Sequence, residues 1–576
     1  MLSIILNWIY TGLLVSVAGF ALMQGYLALF SKLNKQEHKS EYGIVHVLLV
    51  GILGTTIYAQ VFSLFYRVNI EANILLIVVL AGYVLWQRKY IARVLRLWKE
   101  EFSGLGKERI IVYVLLSLAV LVFAISGSGP AKLIDTDWYH AQTIRWIEEY
   151  GCVKGVANLF YALGFNNAQH YFDALFSMVW VFGQSIKGSG GFFGLIIFVH
   201  GLLRVARFKK HSRHIADFLA VWEMGYSIIV TAFYTDPYVD TLPNIIVLFI
   251  VTEWIALVEE KSEDTVWFGF YCLLAVFAVV CKTSVAPVVF LTVYAVYLLI
   301  KQKKAIQILW YLGIGFVIAV PFVITNIITS GYMIYLLTAI DFFDVNWKID
   351  AGVLQYCVDD MVATARNVMA SHDEVLNCGL KWVPDWFKAE SISHQILYVA
   401  IVVLVLYDLV QIVVALCKKK DLDFAMMWPR ICVYIGLAYW FFTIPQVKYC
   451  WSFLILATAL APMYYLEKKE NNALILKGLM ALSVLMLLMY TGFYSLRTLG
   501  YIKDYAPHYL VKQADYKNNV LSPVEKDGQT FYIRFEEGDI VCGYYAFPYM
   551  DNVQDMEKLV VGDSLSDGFY TVKTVE

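Results

Sequence analysis

Two carboxylates, a histidine and two aromatics crowd the octapeptide Asp135-Thr136-Asp137-Trp138-Tyr139-His140-Ala141-Gln142, which follows an apolar run ending near Ile125. A carboxylate near its ordinary pKa of about 4 is ionised at neutral pH and can take a proton from an acceptor hydroxyl. Asp135 is the first candidate for such a base, with Asp137 and His140 as helpers. A structural reading stands beside it: Asp135 or Thr136 caps an amphipathic helix from Trp138 to Tyr150 that lies along the membrane surface, with Gly151 as its C-cap. In that reading Arg145, Glu148 and Glu149 form the wet face.

Further polar groups recur between apolar runs. Thr235-Asp236-Pro237-Tyr238-Val239-Asp240 offers Asp236 as a second acid and Asp240 as a binding group, or simply a turn. Lys282 and Lys448 are cations that either snorkel or meet a phosphate as point charges. Gly155, Asn158, Asn166 and Asn167 fit turn chemistry, yet amides also grip sugar hydroxyls through both donors and acceptors. Trp138 and Tyr139 suit stacking on a sugar ring.

Composition determines what must position these groups. Hydrophobic residues make up 60% and charged residues 16% of the chain, against about 25% charged in soluble domains. Many apolar runs reach the roughly 17–25 residues a spanning helix needs. The expected fold is an all-α polytopic membrane protein of about fourteen spans: 3–30, 43–66, 70–87, 110–127, 189–206, 215–233, 241–259, 266–281, 285–300, 305–327, 394–416, 427–444, 449–466 and 473–497. Residues 2–30 read as a retained first span, since they lack a basic leader. Nine cysteines show no metal or redox spacing. No Walker loop, GxSxG or HExxH is present, and no nucleic-acid partner is expected.

Basic clusters fix an orientation. Lys32 to Lys39, Arg88 to Arg109, Arg204 to Arg213, Lys301 to Lys304, Lys418 to Lys420 and Lys468-Lys469 fall on one side when the spans alternate and both termini lie outside. This holds only if residues 169–184 form an interfacial or re-entrant helix instead of a further span. Every chemically interesting loop then faces outward: 128–187, 235–241, 282–284, 328–393 and 445–449. Loop 328–393 carries nine acids against four Lys or Arg, unlike a cytoplasmic loop. Three units are expected: an N-terminal extension of three spans (1–109), a transmembrane core (110–497), and a small extracytoplasmic module (498–576) with strands near 530–535 and 569–572. No acid or base is expected squarely in the middle of a span, as a proton relay would require.

An outer-loop Asp just after an early span, with Tyr four residues on, resembles the Asp-led motif of the GT-C superfamily, membrane-integral glycosyltransferases that use polyprenyl-phosphate-linked sugars. The stretch 135–167, with Arg145-Trp146-Ile147-Glu148-Glu149-Tyr150-Gly151, Gly155, Asn158-Leu159 and Leu163-Gly164-Phe165-Asn166, is also similar to an uncharacterised family of large bacterial membrane proteins. Ser330-Gly331-Tyr332 and Asp344-Val345-Asn346-Trp347-Lys348 share that flavour, and the likeness covers roughly 110–450. The resemblance implies a GT-C-like core in the cell membrane, Asp135 as catalytic base, and Lys448 or Lys282 on the lipid phosphate. It implies a polyprenyl-phosphate-linked sugar as donor, membrane lipid around it, and an envelope glycan or glycolipid as acceptor. Thr136 stands where the superfamily usually has its second acid. No cofactor is required by this reading, and a divalent metal is left open. A transporter or flippase of lipid-linked saccharide, an envelope polymerase or ligase, and a non-catalytic scaffold are the competing expectations.

Overall fold

Lipid offers no hydrogen-bond partner to the backbone, so apolar runs of this length must close their peptide groups internally as helices. The computed structural model describes residues 1–35, 42–366, 372–419, 423–467, and, in the tail, 496, 500, 503–504, 508–517, 521–533, 542–550 and 557–572. The protein is a multi-pass membrane protein: eleven of its described helices are long and apolar enough to cross a bilayer.

The chain opens with α1 (Leu2–Asn34), α2 (Ile44–Ser63), α3 (Ile70–Ser103) and α4 (Glu108–Ser128). Short helices follow in the loop after α4: α5 (Ala141–Tyr150), α6 (Ala168–Leu175) and α7 (Val179–Phe182). The long series resumes with α8 (Ser189–Ala206), α9 (Ile215–Phe233), α10 (Thr241–Glu259) and α11 (Thr265–Cys281). A 3-10 stretch, Thr283–Leu291, leads into α12 (Thr292–Lys301), and α13 (Ile306–Ser330) follows. After a second loop carrying α14 (Ala351–Ala365), α15 (His372–Asn377) and α16 (Val383–Ala389) come α17 (Ile392–Cys417), α18 (Phe424–Phe442) and α19 (Trp451–Glu467). Helix α11 and the apolar part of α19, Trp451–Pro462, are shorter than the eleven spans. The expected span 473–497 and Lys468-Lys469 lie outside the described residues, residue 496 aside. Residues 169–184 form no long helix; α6 and α7 are broken by Met178 at positive φ.

Among the described residues, contacts such as Lys209 with Glu108 and Gln307 with Asn34 bring basic loops together at one end of the bundle, while Asp135 with Lys448 and Asp240 with Lys282 join loops at the other. Lys39, Lys420 and Lys468-Lys469 lie outside the described residues. Helix α3 marks the transition within one element. Its apolar part ends at Gln87, which has non-helical backbone angles, and the basic stretch from Arg88 continues beyond the kink. The Gln87 side chain accepts a hydrogen bond from Gln24 of α1 at 3.1 Å.

Small residues let the first two helices meet backbone to backbone. A Cβ on Gly19 would strike the Val47 carbonyl oxygen, and one on Gly51 the Val15 carbonyl oxygen. Charge inside the bundle is paired: Arg430 of α18 meets Asp408 of α17 at 2.6 Å, and Tyr434 donates to the same carboxylate.

The structure overturns two expectations. Glu223 lies near the centre of α9 and is fully buried, so a midspan acid exists. One carboxylate in a strongly apolar window barely alters its hydropathy, and pairing with His200 makes its burial tolerable. The segment 138–150 does not present Glu148 to water, because the C-terminal tail covers that residue. Strands β1 (Ser522–Lys526) and β2 (Gln529–Ile533) pair antiparallel, β2 pairs parallel with β3 (Tyr549–Met550), and β4 (Leu559–Val561) pairs antiparallel with β5 (Phe569–Thr571). Phe531, Ile533, Tyr549 and Phe569 share one apolar core with Tyr139, Trp146 and Phe160 of the loop.

Gly51→Leu is expected to wedge α1 from α2 and to lower stability by about 1–3 kcal/mol, the usual range for overpacking. Gly54→Ala meets only the flexible Leu22 side chain and should cost less. Thermal unfolding of the purified protein in detergent distinguishes the two.

Candidate functional site

Helix α4 ends at Ser128, and after a short extended segment the chain enters a single π-helical turn, Thr136–His140, that runs into α5. Such wide turns are rare and recur at functional sites. Asp135 precedes the turn but makes no side-chain cap, so the capping account does not explain it. Its Oδ2 instead accepts from Lys448 Nζ at 2.9 Å. Lys448 sits in a 3-10 turn, Val447–Tyr449, between α18 and α19.

A second ion pair lies beside the first. Lys282, directly after α11, meets Asp240, directly before α10, at 2.6 Å. One ring joins the two pairs: Lys282 Nζ lies 4.5 Å and Lys448 Nζ 5.2 Å from the Tyr449 centroid, and Lys448 is also 5.9 Å from that of Tyr238. Burial pulls the Lys448 ammonium down, but Tyr449, Asp135 and Asp240 outweigh it and hold the group above its ordinary value. Burial, followed by Asp135, Tyr449 and Asp240, pushes the Tyr139 phenol well up.

A cavity of about 200 Å³ opens next to these pairs, with Tyr139, His170, Lys282, Asn326, Trp440 and Tyr449 in its wall. His140 and His170 share a 2.6 Å contact behind it. Burial drives both imidazoles down, His170 to about 3, and Lys282 adds to the effect on each. Neutral imidazoles make His140 a poor proton donor here. Its Nε2 and His170 Nδ1 have no hydrogen-bond partner among the described residues.

The expected constellation is divided. Asp135, Asp240, Lys282, Lys448 and Tyr139 converge. Asp137 and Asp236 belong to a second buried cluster around Lys187. Asp137 accepts from the Lys517 backbone N–H at 3.2 Å, and Asp236 accepts from that of Lys132 at 2.7 Å. Burial raises both carboxyls while Lys187 opposes the rise. Trp138 packs edge-on against Tyr139, Phe160 and Tyr161. Asn158 donates to the carbonyls of Gly155, Trp347 and Phe569, tying the loop to the tail. Asn166 donates to Thr325 and Asn326 and accepts from Tyr171. These amides hold the scaffold. Sequence reasoning missed Tyr449, Tyr238 and His170; only the adjacency of Tyr449 to Lys448 hinted at one of them. Among the described residues no group of three or more His, Cys, Asp or Glu is arranged to hold a metal ion.

The tail clamps the helix that carries this turn. Gln142 donates to the Gly543 and Ala546 carbonyls, and Arg145 to that of Tyr544. Tyr544 and Ser185 donate to the buried Glu148 carboxyl at 2.6 and 2.9 Å. Burial raises that carboxyl from its ordinary 4.5 to about 7, against the pull of those hydrogen bonds. Between those values the folded protein holds a proton that the unfolded chain has lost, so stability falls as pH rises through the window, by about 3 kcal/mol in all. Thermal unfolding followed across pH should show this decline, and Glu148→Gln, neutral throughout, should flatten it.

The profile of a family described as a domain of unknown function (DUF8201) matches residues 1–455, which include both ion pairs and exclude the strands of the tail. No curated protein and no solved structure matches the chain.

Proposed function

The chain belongs to the DUF8201 domain family, and we propose that it is a GT-C-like integral membrane glycosyltransferase that moves a sugar from a polyprenyl-phosphate carrier to a cell-envelope acceptor on the outer face. The observation that carries this reading is the pair of ion pairs, Asp135–Lys448 and Asp240–Lys282, sharing the Tyr449 ring beside a cavity at the end away from the basic loops. The positive-inside rule supports an extracytoplasmic position for that end.

The arrangement suits an anionic donor. A phosphate reaching the two ammonium groups competes with the carboxylates that now hold them. Once Lys448 turns to the phosphate, Asp135 loses its cation and becomes the stronger base. The acceptor hydroxyl gives its proton to Asp135 as its oxygen attacks the anomeric carbon, the carbon–phosphate-oxygen bond breaks, and the carrier phosphate leaves on the lysines. One displacement inverts the anomeric centre. Tyr139 and Tyr449 offer faces for the sugar ring, and Asp240 a grip on a hydroxyl. Asp137, Asp236 and His140 support the loop around this centre. The rival reading, transport of lipid-linked saccharide, draws on the midspan Glu223 and predicts carrier movement without release of free carrier phosphate.

Purified protein incubated with a polyprenyl-phosphate sugar and a hydroxyl acceptor should release carrier. Asp135→Asn should lower the rate by about 10²–10⁴-fold, the range for losing a general base. Lys448→Met should raise the KM for the donor. Release that survives Asp135→Asn at the original rate would remove the assigned base, and carrier movement without release would favour transport.

A further inference from the structure

A second, polar cavity lies at the opposite end, among the basic loops. It has a volume of about 700 Å³, and its wall includes His46, Trp98, His200, Arg204, Glu253 and Tyr271. Its floor leads into a chain of ionisable side chains descending between α8, α9 and α10. Glu253 Oε1 of α10 lies 3.0 Å from His200 Nε2 of α8, and His200 Nδ1 lies 2.6 Å from Glu223 Oε2 of α9. The chain stops there. Glu223 is fully buried, and its Oε1 has no hydrogen-bond partner among the described residues.

Proton counting makes this chain unusual. An imidazole held between two carboxylates needs a hydrogen on each contact, and a neutral imidazole carries only one. The three groups Glu253, His200 and Glu223 therefore hold two protons between them when both contacts are hydrogen bonds. The second of those protons is removable, and the cavity, which has His200 and Glu253 in its wall, connects it to water. Ionisable residues within spanning helices mark proton and substrate pathways by default, and His is the usual shuttle.

We infer that this chain is a proton-binding site, in which the cavity at the basic-loop end loads and unloads Glu223 through Glu253 and His200. A proton from water joins Glu253 and passes to His200 Nε2, while His200 Nδ1 gives its own proton to Glu223 Oε2. One N–H bond forms and one breaks on the imidazole, which ends neutral in the other tautomer, and Glu223 ends as a neutral carboxylic acid. Unloading reverses each step. Neighbouring charges bound the site on its open side. Helix α2 brings His46, 3.6 Å from Glu253 Oε2, and α11 brings Tyr271, whose hydroxyl is 3.4 Å from the same oxygen. Arg204 of α8 reaches Glu253 at 3.5 Å, Asp217 of α9 at 3.2 Å and Glu259 of α10 at 3.9 Å. Helices α4 and α19 also pack on α9 but give Glu223 no hydrogen-bond or ion-pair partner among the described residues.

The ligand is a proton, and the site stands independently of any sugar chemistry at the other end. Helix α10 carries Glu253 and begins directly after Asp240, the partner of Lys282.

Infrared difference spectra of the full-length protein in lipid nanodiscs, recorded through a pH titration, read the site directly. Wild type should show the carbonyl band of a buried carboxylic acid that appears on acidification, and Glu223→Gln should lack it. Glu223→Asp should show it displaced, which keeps the test usable if the Gln variant does not fold. After a pH jump, His200→Gln should develop the band about tenfold more slowly, since its amide cannot relay a proton. Spectra of Glu223→Gln indistinguishable from wild type, or an undisplaced band in Glu223→Asp, would overturn the site. Loading of His200→Gln at the wild-type rate would overturn the route.

Discussion

Every charge that enters the apolar slab of this protein must find its partner in the protein, because lipid supplies none. Removing one member of a buried pair costs about 3–5 kcal/mol, far more than a surface pair contributes. That asymmetry organises the molecule. Arg430 and Asp408 lock α18 to α17, and His200 makes Glu223 and Glu253 tolerable inside a bundle of otherwise apolar helices. Remaining charge is driven to the helix ends, where water is available, and both polar centres of the protein begin there.

The two centres solve the constraint differently. At the loop end, Asp135–Lys448 and Asp240–Lys282 are partly exposed ion pairs whose members come from four separate chain segments. Such pairs are exchangeable under the proposed function: an entering anion would take over the ammonium groups and release the carboxylates, Asp135 among them, from their cations. The Tyr449 ring between the ammonium groups adds attraction through its face while offering nothing that competes with a phosphate oxygen. At the basic end the imidazole is wedged between acids on neighbouring helices, so no exchange of partners is open to it. What can change there is the number of protons.

Span positions were legible because hydropathy over twenty residues is a sum, robust to any single residue. The same summation hid Glu223, one carboxylate within Trp222-Glu223-Met224. Asp135 was legible from its polar company just past an apolar run, but its partner was not. Lys448 lies 313 residues further on, and no local pattern reports a pairing set by how α18 and α19 pack. Asp137 and Asp236 looked equivalent to Asp135 from types and spacing alone. Two residues apart on a helical turn, Asp135 and Asp137 point to opposite sides, Asp135 to Lys448 and Asp137 to the Lys517 backbone. Glu148 sat on a helix face that periodicity marks as wet, and periodicity cannot know that Tyr544 will arrive from the tail.

The tail also explains why the loop can carry a defined site at all. A ten-residue helix such as α5 is marginal in water by itself. Gln142, Arg145 and Glu148 are each held by tail residues 543–546, and Asn158 ties the next turn to Phe569. Both ion pairs lie within the residues matched by the family profile, whereas these contacts come from beyond residue 455. The division of labour is therefore physical. The helical core supplies most of the charged groups beside the cavity, and the tail holds the helix that follows the first of them, Asp135.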